Sequence, residues 1–177
     1  MHTLDELYNK PVWKMFDKEF VDWPDNPRFA VCDNGTTDTD WDDMVLDKET
    51  GLVWQRNLWI TEPAMALSPR IESCEVQGYR KAQGLPGRPG WRLPTLQELL
   101  SLVDPSRHDP ALPDGHPFVN LRWGDYPYVE YWTSSPSAYG AGISVVEFKY
   151  GYRGYASEDE AHYSWCVRGG NDPLVHR

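Results

Sequence analysis

The stretch GWRLPTLQELLSLVD, Gly90 to Asp104, restricts the fold of this chain more than any other. Thr95 stands at a helix N-cap position, and Glu98 three residues later completes a capping box. In that arrangement the hydroxyl and the carboxylate each accept an amide hydrogen that the helix start leaves over. Leu96, Leu99, Leu100 and Val103 then fall at i, i+3, i+4 and i+7, one apolar stripe. Asp104-Pro105 stops the helix, because the residue before proline is pushed out of the helical region. Glu98 is the one side chain along it suited to acid–base work, and the cap already occupies it. The segment predicts scaffold, with Thr95→Ala costing about 1 kcal/mol.

A second helix is expected over residues 68–84, SPRIESCEVQGYRKAQG, with Ser68 as N-cap, Pro69 in the first turn and Gly84 beyond the end. Ile71, Cys74 and Tyr79 would face inward. Before it, Phe29 to Val31 and Met44 to Leu46 read as strands around an acidic turn, and a turn at Lys48 to Gly51 leads into LVWQ. After Asp104 the chain reads as loops with few regular elements, until SVVEFKYGY and the closing HYSWCVRGG supply strands. Residues 1–28 read as an arm, with Val12, Trp13, Met15, Phe16 and Phe20 at loosely helical spacing before Pro24 and Pro27. The arm would dock on its own domain or reach another subunit. The expected organisation is arm 1–28, domain 29–172 and tail 173–177. The expected fold class is α+β, two helices beside a small antiparallel sheet with a long loop-rich region.

Charge narrows the partners. The 177 residues carry 17 Lys and Arg against 27 Asp and Glu, a formal charge of −10, which argues against binding nucleic acid through its phosphates. No apolar run approaches the roughly 18 residues of a membrane span, so no membrane insertion is expected. The opening MHTLDELYNK is acidic and lacks the apolar region of a signal peptide, which suits either a cytoplasmic chain or a mature exported one. Nine Trp, ten Tyr, 14 Gly and 15 Pro favour short strands, turns and aromatic surfaces.

Metal and nucleophile chemistry finds little support. Cys32, Cys74 and Cys166 show no CxxC spacing, which argues against zinc and leaves either one disulfide with one thiol or three reduced thiols. Asp38, Asp40, Asp42 and Asp43 could offer oxygen ligands to calcium, but without the glycine and glutamate of an EF-hand loop, so no cofactor is expected beyond that ion. His108 and His116, eight residues apart in a proline-rich loop, are expected to be solvated. No G-x-S-x-G elbow and no phosphate loop occurs. Carboxylate spacing alone nominates no glycosidase pair.

Aromatic loops are the better site candidates. RWGDYPYVEYW offers Trp123, Tyr126 and Tyr128 beside Asp125 and Glu130, in a stretch too proline-broken for a core strand. SAYGAG and YGYRGYASEDE add Tyr139, Tyr152 and Tyr155, with Arg153 at a glycine-flanked tip. Sugar faces stack on such rings, and tyrosine gives a large rigid contact at low entropy cost.

TGLVWQRN, GWRLPTLQELLSLVD, YWTSS, FKYGY and CVRGG, in this order, resemble a bacterial domain family. Its best-described member is the C-terminal domain of the Legionella collagen-like adhesin. The resemblance covers about residues 29–171, and its motifs imply that Trp54, Trp91, Trp132 and Trp165 belong to the core. It implies a C-type-lectin-like fold related to formylglycine-generating enzymes, an extracytoplasmic or cell-surface location, and a homo-oligomer, since the adhesin domain is a trimer that binds sulfated glycans. It also implies a bridge between Cys74 on the first helix and Cys166 on the last strand, contributing up to roughly 4–5 kcal/mol in the chain-entropy model. The family's enzymatic relatives need a cysteine pair for copper or an HxxxH-type cluster for iron, and neither is present. The EPN, QPD and WND tripeptides of calcium-dependent lectins are absent too. A charge of −10 departs from what a sulfated polyanion would want, so such binding would need a local basic patch of Arg122, Lys149 and Arg153. The expected function is a non-catalytic recognition module for a glycan or other surface polymer. The alternative is a protein-binding or structural subunit of a surface or phage-like assembly, and an oxidase-type enzyme is third.

Overall fold

Short runs of β-branched and aromatic residues set the architecture. In the computed structural model, which describes residues 20–32, 44–58, 74, 90–124 and 129–169, they form two antiparallel sheets. The first contains β1 (Val21–Asp22), β2 (Phe29–Cys32), β3 (Met44–Asp47), β4 (Val53–Gln55) and β8 (Val167–Arg168), in the order β1-β2-β3-β4-β8. The second contains β5 (Glu130–Pro136), β6 (Ile143–Glu147) and β7 (Arg153–Ala156), in that order. One helix, α1 (Leu96–Leu100), lies against β5 and β6.

Successive strand residues point to opposite faces, and here both faces are buried. Val31, Val45, Trp54 and Val167 are paired across the first sheet and join Tyr131 and Val146 of the second in one apolar cluster, with Leu99 and Leu102. Cys32, Met44 and Val53 face the other way and join Trp132, Val145, Trp91 and Cys166. Trp54, Trp91, Trp132 and Trp165 are all buried, as expected. Burial also pushes the Tyr131 hydroxyl pKa well up; that hydroxyl donates to the Arg122 carbonyl at 3.1 Å and accepts from its amide at 3.0 Å.

Several polar groups inside the fold are matched, although the buried Trp54 indole nitrogen has no hydrogen-bond acceptor among the described residues. Asp47 is fully buried, and its carboxylate accepts from Arg28 Nε at 2.9 Å and Nη2 at 2.7 Å, and from the Thr50 hydroxyl at 2.8 Å. It thereby fixes the β3–β4 turn to the neighbouring strand. The Thr95–Glu98 capping box is present, with Thr95 Oγ1 accepting from the Glu98 amide at 3.2 Å and Glu98 Oε2 from the Thr95 amide at 2.7 Å. Arg92 adds what the sequence did not suggest, a paired contact to the same carboxylate at 2.7 and 2.8 Å, while its own backbone bridges to Val167. The scaffold segment therefore clasps the helix start to the last strand.

The expected α+β class, two helices beside one small sheet as in a lectin-like fold, is corrected by this architecture. The described residues are mostly β, with two sheets and one short helix. The helix expected at 68–84 lies outside the described residues except for Cys74, which is helical and fully buried. α1 ends at Leu100, before its apolar stripe runs out, and Leu102 is buried in the turn that follows. The stretch expected to be loop-rich contains β5 and β7. Tyr131 and Trp132 are consecutive and both fully buried, each serving a different cluster. A strand buried on both faces shows no alternation, which hid it from a pattern reading. Cys74 and Cys166 form a disulfide with Cα atoms 5.5 Å apart, as the family resemblance implied, and Cys32 is a buried thiol on the same side of the first sheet. Residues 1–19 and the tail at 173–177 lie outside the described residues.

Candidate binding groove

Strand β7 continues the face of β6 that carries Val146 and Ser144, because Arg153 pairs with Val146 and Tyr155 with Ser144. α1 covers the inner part of this face and leaves the outer part open. A groove of about 410 Å³ results, between Leu96 at the helix start and Arg153, Gly154 and Tyr155 on the strand, closed at one end by Ser137, Ala138 and Tyr139. That volume falls within the roughly 300–1,000 Å³ of small-ligand sites.

Each lining side chain has a local reason for its place. Tyr139 tips the β5–β6 turn, where its amide donates to Ser137 Oγ at 3.2 Å and the Ser137 amide donates to the Gly142 carbonyl at 2.9 Å. Gly142 adopts φ +77°, and a Cβ there would run into the Ala156 carbonyl, so glycine alone lets the turn close on the end of β7. Closure brings the Tyr139 ring within 5.6 Å of the Tyr155 ring, tilted by 50°. These rings remain 82 % and 61 % exposed, a large apolar surface held toward solvent. Among the described residues that line the groove none is a carboxylate, imidazole or thiol, and Arg153 is the cation.

Tyr152 lies elsewhere, at the β6–β7 tip, where its ring sits 5.7 Å from that of Tyr150. Glu147 builds this tip. Its buried carboxylate accepts from the amides of Lys149 at 2.6 Å, Tyr150 at 3.0 Å and Tyr152 at 3.0 Å. Gly151, at φ +78°, lies against Val103, leaving no space for a Cβ.

Of the sequence candidates, Tyr139, Arg153 and Tyr155 are brought together in the groove, and Tyr152 is exposed at a separate tip. Trp123 is 41 % exposed and does not line the groove. Asp125, Tyr126 and Tyr128 lie outside the described residues, as do Asp38, Asp40, Asp42 and Asp43. The three cations of the expected basic patch have different surroundings: Arg122 and Lys149 lie over the Tyr163 and Tyr150 rings, and Arg153 lies in the groove. Sequence reading missed Leu96, Ser137 and Ser144, whose place depends on which strands pair; no local pattern marks it. His108 is exposed as expected, but His116 is half-buried against Phe118, and burial pushes its pKa down.

Behind β7, on the opposite sheet face, a carboxylate–imidazole cluster supports the strand. His162 Nδ1 lies 3.3 Å from Glu130 and its Nε2 3.7 Å from Glu160. Burial, then the charges of Glu160 and Glu147, raises the Glu130 pKa, and burial lowers that of His162. The two carboxylates address opposite ring nitrogens and converge on no common point. Among the described residues no group of three or more His, Cys, Asp or Glu is placed to hold a metal, and no helix is long and apolar enough to cross a membrane.

Comparison with curated proteins and with solved structures gave no match. The family described as the Lcl C-terminal domain matches residues 43–168, more than half of the chain and all of the groove. The chain therefore belongs to the Lcl C-terminal domain family.

Proposed function

We propose that this domain is a non-catalytic recognition module that binds a glycan or another surface polymer, and that it works outside the cytoplasm or at the cell surface. The exposed Tyr139–Tyr155 pair at the groove carries the reading. Aromatic rings fixed at low entropy cost stack against sugar faces, and Arg153 and the Ser137 hydroxyl supply polar partners beside them. The Cys74–Cys166 bridge supports an oxidising compartment.

The test is a broad glycan array probed with calcium and then with chelator. The expected outcome is a chelator-insensitive signal that Tyr139→Ala and Tyr155→Ala each reduce at least tenfold. Both side chains are exposed, so stability should move by no more than about 0.5 kcal/mol. A signal unchanged in both variants removes the groove as the site. Loss with chelator redirects attention to the acidic turn, and silence in both conditions favours protein recognition.

A further inference from the structure

The two edges of the three-stranded sheet are treated differently. Along β5, outward main-chain groups are closed off: Trp132 N–H donates to the Tyr163 carbonyl at 2.8 Å, Tyr163 N–H to the Glu130 carbonyl at 3.0 Å, and Ser134 N–H to the Pro94 carbonyl at 2.7 Å. Along β7 the ladder alternation decides which groups point out. The Glu147 amide donates to the Tyr152 carbonyl at 3.0 Å, which marks Glu147 and Tyr152 as a bonded pair. Stepping along the register, Val145 with Gly154 and Ile143 with Ala156 are bonded pairs too. The N–H and C=O of Arg153 and Tyr155 therefore point away from β6, and no main-chain partner meets them among the described residues.

Two donor–acceptor sets two residues apart are spaced about 6.8 Å, the repeat of an extended peptide. A polysaccharide has no such periodic alternation of donor and acceptor. Both side chains at these positions, Arg153 and Tyr155, face the groove. The Arg153 guanidinium shares the groove with no carboxylate among the described lining residues. A short edge bearing a charge resists indiscriminate strand pairing, so an incoming strand gains most here if it brings the opposite charge.

We propose that β7 is a docking edge for an extended acidic peptide segment of a partner protein, which adds antiparallel as a fourth strand with a carboxylate side chain opposite Arg153. Main-chain bonds then supply affinity, and the groove reads alternate side chains. The inference stands on strand geometry and does not require glycan binding, although a peptide seated here would cover Tyr155 and compete with a glycan for it.

The probe is a fluorescein-labelled, end-capped pentapeptide, Thr-Val-Thr-Glu-Thr, whose Glu falls opposite Arg153 and whose Val falls opposite Tyr155. Fluorescence anisotropy with the full chain should show saturable binding. N-methylation of the Val and Glu amides should weaken it at least tenfold, and replacing Glu by Gln several-fold. Arg153→Pro removes one outward N–H at an edge, where proline is tolerated, and should lose at least tenfold; Arg153→Ala should lose only what the Gln peptide loses. Absence of saturable binding overturns the proposal, as does equal binding of the N-methylated peptide, a comparison made on the unaltered protein. A wild-type dimer that becomes monomeric in Arg153→Pro and binds no peptide overturns it in favour of a second copy of this chain.

Discussion

Glu147 is the best place to test how the aromatic tip is held. Its carboxylate serves three backbone amides, those of Lys149, Tyr150 and Tyr152, from a side chain that is 5 % exposed. Hydrogen bonds to a charged acceptor contribute about 1.5–3 kcal/mol each. The tip is partly open to water, so each amide recovers part of that on rehydration, and about 1 kcal/mol each remains. Glu147→Ala should therefore cost about 3 kcal/mol, which in a domain of this size lowers Tm by about 6–12 °C. Glu147→Gln keeps one acceptor oxygen but turns an NH2 toward the amides, and should lose roughly half as much. The assay is urea denaturation followed by tryptophan fluorescence, with hydrogen exchange read at residues 149–152. A loss below about 1 kcal/mol, or a larger loss with unchanged protection of those amides, would show that the tip holds itself and that Glu147 only fills space.

The remaining expectations concern the frame around the groove. Gly142→Ala drives a Cβ into the Ala156 carbonyl at a positive φ and should cost about 1–3 kcal/mol; persistence of the Tyr139–Tyr155 contact in NOE spectra without destabilisation would contradict this. For Glu98, burial works against the charged form, but the Arg92 guanidinium and the Thr95 amide and hydroxyl outweigh it and hold the pKa below 4.5. That stabilisation is fully present above about pH 4.5 and fades as pH falls through the depressed folded value. Chemical denaturation of wild type and Glu98→Gln between pH 7 and 3 should converge at the acid end, and a constant gap would sink the assignment. Reduction of Cys74–Cys166, or Cys166→Ser, should remove up to roughly 4–5 kcal/mol; an unchanged urea midpoint under reductant would show that the bridge closes no costly loop.

Local grammar was legible and long-range pairing was not. The capping box was readable because Thr95 and Glu98 act within one turn, and the buried tryptophans because they stand inside motifs shared with the family. Arg92 carried no such signal, since its partners include Gly169, 77 residues away. No apolar period marks β7 in the sequence, because Arg153, Gly154 and Tyr155 are exposed and Ala156 alone is buried. Tyr139, Arg153 and Tyr155 stand out in the sequence as aromatic or charged residues beside glycines. Their assembly into one groove depends on the close approach at Gly142 and on the β6–β7 register.

Three successive residues near the last strand divide their duties. Trp165 enters one apolar cluster, Cys166 the other through its bridge to Cys74, and Val167 pairs with both Trp54 and Arg92. A ribosome delivers these residues only after almost all of the other described elements have emerged. Until then one cluster lacks Trp165 and the other its cross-link, and the first sheet lacks its outer strand. The apolar strands therefore stay partly uncovered until this segment emerges, a late, long-range closure that leaves a folding chain exposed to aggregation.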